Sequence, residues 1–148
     1  MNLYQFLLKA HSGWRYIVMV LLLVAIIQAF AGWFGKKQYT EGNRKLNLFT
    51  LISAHVQLLL GLILYFVSPF VQFAGGVMKD KGLRYWTVEH LVIMILAIVL
   101  ITIGHARSKR ANAPLLKHKS IAIFYLIATI IIVGAIAMSG RPLFGMSS

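Results

Sequence analysis

The chain alternates between long apolar runs and short polar connections. Four apolar runs, at residues 14–34, 46–67, 86–105 and 120–139, reach the roughly 20 residues that an α-helix needs to cross a bilayer. Gly35, Gly42, Pro69, Gly82 and Pro114 lie in the connections between them, as is typical of turns. The pattern predicts an all-α fold, an integral membrane four-helix bundle whose four transmembrane helices run up-down-up-down.

We expect residues 1–148 to form a single transmembrane domain, because no connection is long enough to hold a second one. The first run exceeds the roughly 7 to 15 apolar residues of a signal peptide, and no small-residue cleavage pattern follows it. It is therefore expected to remain as a span. Residues 2–12 precede it and are expected to extend the same helix with an amphipathic start.

Composition excludes the main soluble classes. Apolar residues make up 59% of the chain and charged residues 12%, whereas about a quarter of the residues in a soluble domain are charged. A disordered chain would lack this apolar content. The chain contains no cysteine, which excludes disulfides, Cys-ligated zinc, iron–sulfur clusters and thiol catalysis. Redox chemistry would therefore need a bound cofactor.

The net charge of +12 is distributed between the apolar runs and not along one basic face, which favours a membrane protein over a nucleic-acid-binding module. Nine of the fifteen cations lie in the first and third connections: Lys36, Lys37, Arg44, Lys45, Arg107, Lys109, Arg110, Lys117 and Lys119. The positive-inside rule then predicts that both connections are cytoplasmic and both termini extracytoplasmic, in a bacterial inner membrane.

Polar side chains inside a bilayer are expensive and tend to be functional. All five histidines lie within or beside a span: His11, His55, His90, His105 and His118. Imidazole is an axial ligand of haem iron, and helix bundles build such sites from facing side chains. All five are therefore candidate cofactor-binding residues. For His105 the alternative is an interfacial residue at a helix C-terminus, where the helix dipole favours a cation.

Helical geometry limits how the histidines pair. His90 and His105 are fifteen residues apart, which is about 22 Å of rise and about 60° of rotation, so both can face the bundle interior at opposite sides of the membrane. His55 lies about 15 Å above Lys45, whereas His90 lies about 25 Å above Arg107. Depth therefore leaves the iron ligands open among the three candidates His11, His55 and His90.

Further candidate contacts lie at the two ends of the spans. His105 and His118 both lie near the cytoplasmic boundary, where they could meet across the last two helices. On the outer side, Arg15 and Arg84 each precede a tyrosine, and each could bind an anionic group such as a haem propionate. An ordinary interfacial anchor is the alternative for both. Glu89, beside His90, is a candidate for proton transfer to a quinone, because apolar surroundings raise the pKa of a carboxyl group.

The second span carries polar residues on two opposite faces. Ser53, Gln57 and Gly61 recur every four residues, whereas His55 lies about 200° away from Ser53. Hydrocarbon offers neither face a hydrogen bond, and one bundle covers only its inward face. The pattern favours a homo-oligomer or a subunit of a larger membrane complex.

Three segments also carry a family resemblance: Lys9-Ala10-His11, Trp86 with the following His90, and Gly104-His105 with the basic residues after it. The chain resembles the small four-helix membrane proteins of the cytochrome b type over nearly its whole length. Its layout is also similar to the HemJ-type protoporphyrinogen oxidases and the wider CopD-like group. This resemblance implies haem b and makes His11 and His90 the ligands of a HemJ-like layout.

One departure separates the chain from the HemJ pattern. That pattern contains a Trp-x-His-x-Lys segment, whereas Trp86-Thr87-Val88-Glu89-His90 contains no lysine. The leading hypothesis is therefore a haem b-bearing protein that transfers electrons between quinol and a partner. The alternatives are a HemJ-like protoporphyrinogen oxidase and a haem-free accessory subunit of a membrane complex.

Overall fold

The computed structural model describes residues 3–67 and 90–138, which form four α-helices and no strand. The helices are α1 (Leu3–Phe34), α2 (Glu41–Val67), α3 (His90–Arg110) and α4 (Pro114–Met138). Each is long and apolar enough to cross a membrane. The predicted all-α membrane four-helix fold is confirmed.

Helix α1 is continuous from Leu3, which confirms that residues 3–12 extend the first span. The helix ends at Phe34, and the chain then turns through Lys36, which has a φ of 51°. The Lys37 amide donates to the Gly32 carbonyl over 3.0 Å and closes the last turn. The connection therefore begins where the Gly35-Lys36-Lys37 segment predicts it.

Helices α2 and α4 both begin before the apolar runs that predicted them. At α2, the Thr40 amide donates to Asn43 Oδ1 (2.8 Å), and the Asn43 amide donates to Thr40 Oγ1 (3.2 Å), which is a reciprocal cap. Helix α4 begins with Pro114, whose missing N–H is tolerated in the first turn. Apolar runs mark the part of a helix that crosses lipid, whereas caps mark its ends, so the helices extend into the polar connections.

Each helix packs against two neighbours: α1 against α2 and α4, and α3 against α2 and α4. Tyr125, Leu22, Ile101 and Ile121 are the largest fully buried apolar side chains of the core. Around them lie buried small residues, as expected where transmembrane helices approach closely: Ala25, Ala29, Ala54, Ala97, Ala122, Ala128 and Ala135. Large apolar side chains also cover the outer faces, which suits contact with lipid.

The two short connections, residues 35–40 and 111–113, lie at one end of the bundle, which we call the basic end. There, His118 of α4 contacts the Gln38 carbonyl, and the Lys117 ammonium lies 5.7 Å from the centre of the Tyr39 ring. The expectation that the two basic connections share one end is confirmed. The opposite end, where α1 and α3 begin, is called the His11 end below.

Candidate functional site

The histidines are distributed over three levels of the bundle. His11 lies near the start of α1 and His90 is the first residue of α3, so both lie at the His11 end. His55 lies near the middle of α2, while His105 and His118 lie at the basic end. Arg84 and Glu89 lie outside the described residues, as does the side chain of His90.

His11 is fixed between α1 and α2 by a glycine and an amide. A Cβ atom added at Gly61 would lie 3.2 Å from His11 Nε2, so the imidazole packs directly on the backbone of α2. The Gln57 side-chain amide donates to the His11 carbonyl over 2.9 Å. One turn further along, the Trp14 indole donates to the Ser53 carbonyl over 2.8 Å. These contacts hold the first half of α1 in register with α2.

Arg15 lies four residues after His11, on the same face of α1. Its side chain is half-buried, and its guanidinium carbon lies 5.4 Å from the centre of the Tyr16 ring. His11 and Arg15 therefore share one face of α1. An imidazole can supply an axial nitrogen to haem iron, and a guanidinium can bind a propionate.

His55 does not share a level with His90. Its Nε2 lies 3.0 Å from Thr102 Oγ1 of α3, and Thr102 is twelve residues beyond His90, which is about 18 Å of helix rise. The gap counted from the sequence, about 10 Å, is too small. The estimate from the sequence assumed that Lys45 and Arg107 lie at the same depth in the bundle. The contact between His55 and Thr102 places the start of α2 closer to the basic end than Arg107.

The hydrogen bonds of His55 define its tautomer. The single hydroxyl proton of Thr102 is donated to the Ile98 carbonyl over 2.7 Å, so His55 Nε2 must be the donor in the His55–Thr102 contact. Both side chains are exposed on the α2–α3 side of the bundle. His55 Nε2, one of the two imidazole nitrogens that can bind a metal, is therefore already hydrogen-bonded to Thr102 of the same chain.

His118 is packed into the core of the basic end, where only 2% of its surface is exposed. Its Nε2 donates to the Gln38 carbonyl over 3.1 Å. Its ring packs edge-to-face with the Tyr39 ring, and the two ring centres are 5.2 Å apart. A Cβ at Gly32 would lie 2.5 Å from His118 Nδ1, so the ring occupies the space that this glycine leaves on α1. These contacts are those of a packed structural histidine.

His105 and His118 both lie near Tyr39, but they have different surroundings. It lines a pocket of about 160 Å³ between the end of α3 and the start of α2. The other lining residues come from the first connection and from α2, α3 and α4: Tyr39, Thr40, Glu41, Arg44, Lys109 and Lys117. The His105 Nδ1 atom is buried and has no hydrogen-bond partner among the described residues.

The inward face of α2 is more polar than the sequence analysis recognised. Ser53 and Gln57 face α1, as the contacts with Trp14 and His11 establish, while His55 faces outward. The same inward face continues to Asn47 and Thr50, which are also buried. The buried Tyr125 hydroxyl of α4 crosses the core and donates to the Asn47 carbonyl over 2.9 Å.

The sequence contains a pattern that marks these additional polar residues. The positions 47, 50, 53 or 54, 57 and 61 repeat every three or four residues, which is the period of one helix face. Asn47 and Thr50 lie within the predicted span at residues 46–67, on the face that Ser53, Gln57 and Gly61 define.

Among residues 3–67 and 90–138, no three His, Asp or Glu side chains form a cluster that could hold a metal ion. A haem needs only one or two axial ligands, so this observation does not bear on the haem hypothesis. Comparison with protein-family models, with curated proteins and with solved structures gives no match for the chain.

Proposed function

We propose that this protein binds haem b in the bacterial inner membrane and transfers electrons between quinol and a partner protein. The observation that carries the proposal is the position of His11 and His90 on parallel helices at one end of the bundle, with Arg15 one turn beyond His11. His55 and His118 use their Nε2 atoms in hydrogen bonds to Thr102 and to the Gln38 carbonyl.

In this proposal the chain supplies ligands, an anchor and a water-poor environment. His11, held against Gly61, would present an imidazole nitrogen, and His90 would present the second from α3, the helix diagonal to α1 in the bundle. Arg15 would bind a propionate, and Arg84 is the sequence candidate for the other. Bound haem b would supply the one-electron chemistry. Glu89 would exchange a proton with a quinone at the same end.

The similarity to the HemJ-type layout supports the same pair of ligands and remains a prediction. The cation distribution supports cytoplasmic connections, so we propose that the His11 end faces the outside. A reporter pair fused after Ser148 tests this orientation. Alkaline phosphatase should be active there and green fluorescent protein dark, and the reverse result would invert the topology.

The exposed position of His55 supports the proposal that the protein works as an oligomer or as a subunit of a larger complex. The Thr102 contact supplies His55 Nε2 with one partner. A polar pair on a face that otherwise carries large apolar side chains still favours a protein neighbour over lipid there.

The decisive experiment is the reduced-minus-oxidised optical spectrum of the purified protein, with the haem quantified per chain. We expect b-type bands in the wild type, and loss of most haem in His11→Ala and in His90→Ala. His55→Gln is the matched control, because it removes an imidazole but keeps a hydrogen-bonding group near Thr102. It should retain the wild-type haem content.

Each other outcome has a defined meaning. Absence of b-type bands in protein isolated from haem-replete cells would refute the proposal and favour a haem-free accessory subunit. Loss of haem in His55→Gln, with retention in His11→Ala, would refute the ligand assignment. Oxidation of protoporphyrinogen by the haem-loaded protein would instead identify a HemJ-like oxidase.

A further inference from the structure

The pocket at the basic end is lined by charged side chains that the proposed function does not use. Arg44, Lys109 and Lys117 contribute three cations to its wall, and Glu41 contributes the single carboxylate. Its volume of about 160 Å³ is many times the roughly 10–15 Å³ that one water molecule needs. The pocket can therefore hold a group the size of a phosphate together with water.

The charged side chains of the pocket form some hydrogen bonds within the protein, and other hydrogen-bond donors remain for a ligand. Lys117 donates to the carbonyls of Ser108 (3.0 Å) and Lys109 (3.2 Å), which fixes its ammonium at the end of α3. Arg44 donates through Nε and Nη2 to a single oxygen of Glu41. A guanidinium has five N–H donors, so the remaining donors of Arg44 stay available.

The pocket also contains a nitrogen whose hydrogen bonding the protein does not complete. His105 Nδ1 is buried at the pocket wall without a partner among the described residues. The pocket lies between two transmembrane helices at the level of the connections, where the headgroups of a surrounding bilayer would lie. Basic pockets between transmembrane helices at this depth typically bind anionic headgroups.

We propose that this pocket is a binding site for a phosphate group, with Arg44, Lys109 and Lys117 as the cations that hold it. Such a phosphate is carried by an anionic lipid headgroup or by a small soluble phosphate. Glu41 opposes the ligand by its charge and occupies two donors of Arg44. The site is independent of the haem proposal, because it lies at the opposite end of the bundle from His11 and His90.

Native mass spectrometry tests the proposal. The full chain is purified in detergent and equilibrated with equal amounts of phosphatidylglycerol and phosphatidylcholine. We expect one phosphatidylglycerol to be retained in preference to phosphatidylcholine. Arg44→Gln and Lys109→Gln should each weaken retention about fivefold, the typical contribution of one cation near an anionic headgroup. Glu41→Gln should strengthen retention, and this opposite sign protects the test from a variant that merely fails to fold.

The matched control is the double variant Lys36→Gln, Lys37→Gln, which removes two cations from the same end of the bundle but outside the pocket. It should retain the lipid as the wild type does. A separate arm titrates inorganic phosphate into protein in phosphatidylcholine nanodiscs. Phosphate binding that Lys109→Gln abolishes would identify a soluble phosphate as the source, whereas lipid retention unaffected by excess phosphate would identify the headgroup.

Two results would overturn the site. The first is equal loss of phosphatidylglycerol in the pocket variants and in the Lys36, Lys37 control, which would mean diffuse attraction to the basic end. The second is the absence of both a lipid preference and phosphate binding in folded wild-type protein.

Discussion

Replacement of Gly104 by alanine tests the closest approach between α3 and α4. A Cβ atom at this position would overlap Phe124 Cβ and lie 3.1 Å from Phe124 Cγ. Carbon atoms prefer a separation of roughly 3.5–4.0 Å. Because Phe124 Cβ is bonded to the backbone, no side-chain rotation can relieve the overlap. The two helices must therefore move apart by about 1 Å.

The expected cost follows from this separation. Adding a methyl group to a well-packed core costs about 1–3 kcal/mol, and a gap of up to about 1 Å forfeits a quarter to a half of each neighbouring dispersion contact. Ile101 and Tyr125, which lie within three residues of Gly104 and Phe124 along the chain, are fully buried. We therefore expect a cost of about 3 kcal/mol, reduced by about 1 kcal/mol because alanine is the better helix former. The net destabilisation is about 2 kcal/mol.

Heat unfolding in one mild detergent, followed by tryptophan fluorescence, measures the effect. With a shift of about 2–4 °C per kcal/mol, Gly104→Ala should unfold about 4–8 °C below the wild type. Gly134→Ala is the matched control, because no atom that the described residues bring from outside the local helix backbone lies within 4 Å of its added Cβ. It should unfold at the wild-type midpoint or slightly above it.

Equal midpoints for Gly104→Ala and Gly134→Ala would refute the reasoning, since both substitutions change helix propensity in the same way. The difference between them isolates the contact with Phe124. A stabilised Gly104→Ala would likewise mean that α3 and α4 are not in close contact at this glycine.

Three further predictions concern the histidines and the residues that contact them. Gly32→Ala should lower the unfolding midpoint, because its Cβ would lie 2.5 Å from His118 Nε2, and His118→Ala in that background should recover part of the loss, with a coupling energy above about 1 kcal/mol in a double-mutant cycle. Additive effects would show that the ring is not the obstacle. Gln57→Leu should destabilise the fold by removing the bond to the His11 carbonyl, without changing the oligomer mass. The exposed His55→Leu should reduce that mass in native mass spectrometry, and a wild-type monomer in every mild detergent would rule out the oligomer.

The number and nature of the helices could be predicted from the sequence because they depend on local composition. Each apolar run is long enough to cross a bilayer, and lipid forces the backbone of such a run into a helix, since no water is present to satisfy its N–H and C=O groups. The shared end of the two basic connections followed in the same way, from the alternating direction of four short-linked helices. The helix ends were less accurate, because caps such as Thr40–Asn43 lie outside the apolar runs.

The environment of each histidine was decided by tertiary structure alone. The sequence predicts that His55 lies within a span and His118 beside one. Their hydrogen-bond partners come from another helix and from a connection: Thr102 for His55 and Gln38 for His118. These contacts depend on the relative shift and rotation of helices, which small residues such as Gly32 and Gly61 set by allowing close approach. A hydropathy pattern indicates how long a helix is but not how deep it lies relative to a neighbouring helix. A shift of one helical turn changes which side chains contact each other. The levels of the histidines, and the pocket between α2 and α3, therefore emerge only when the four helices are packed together.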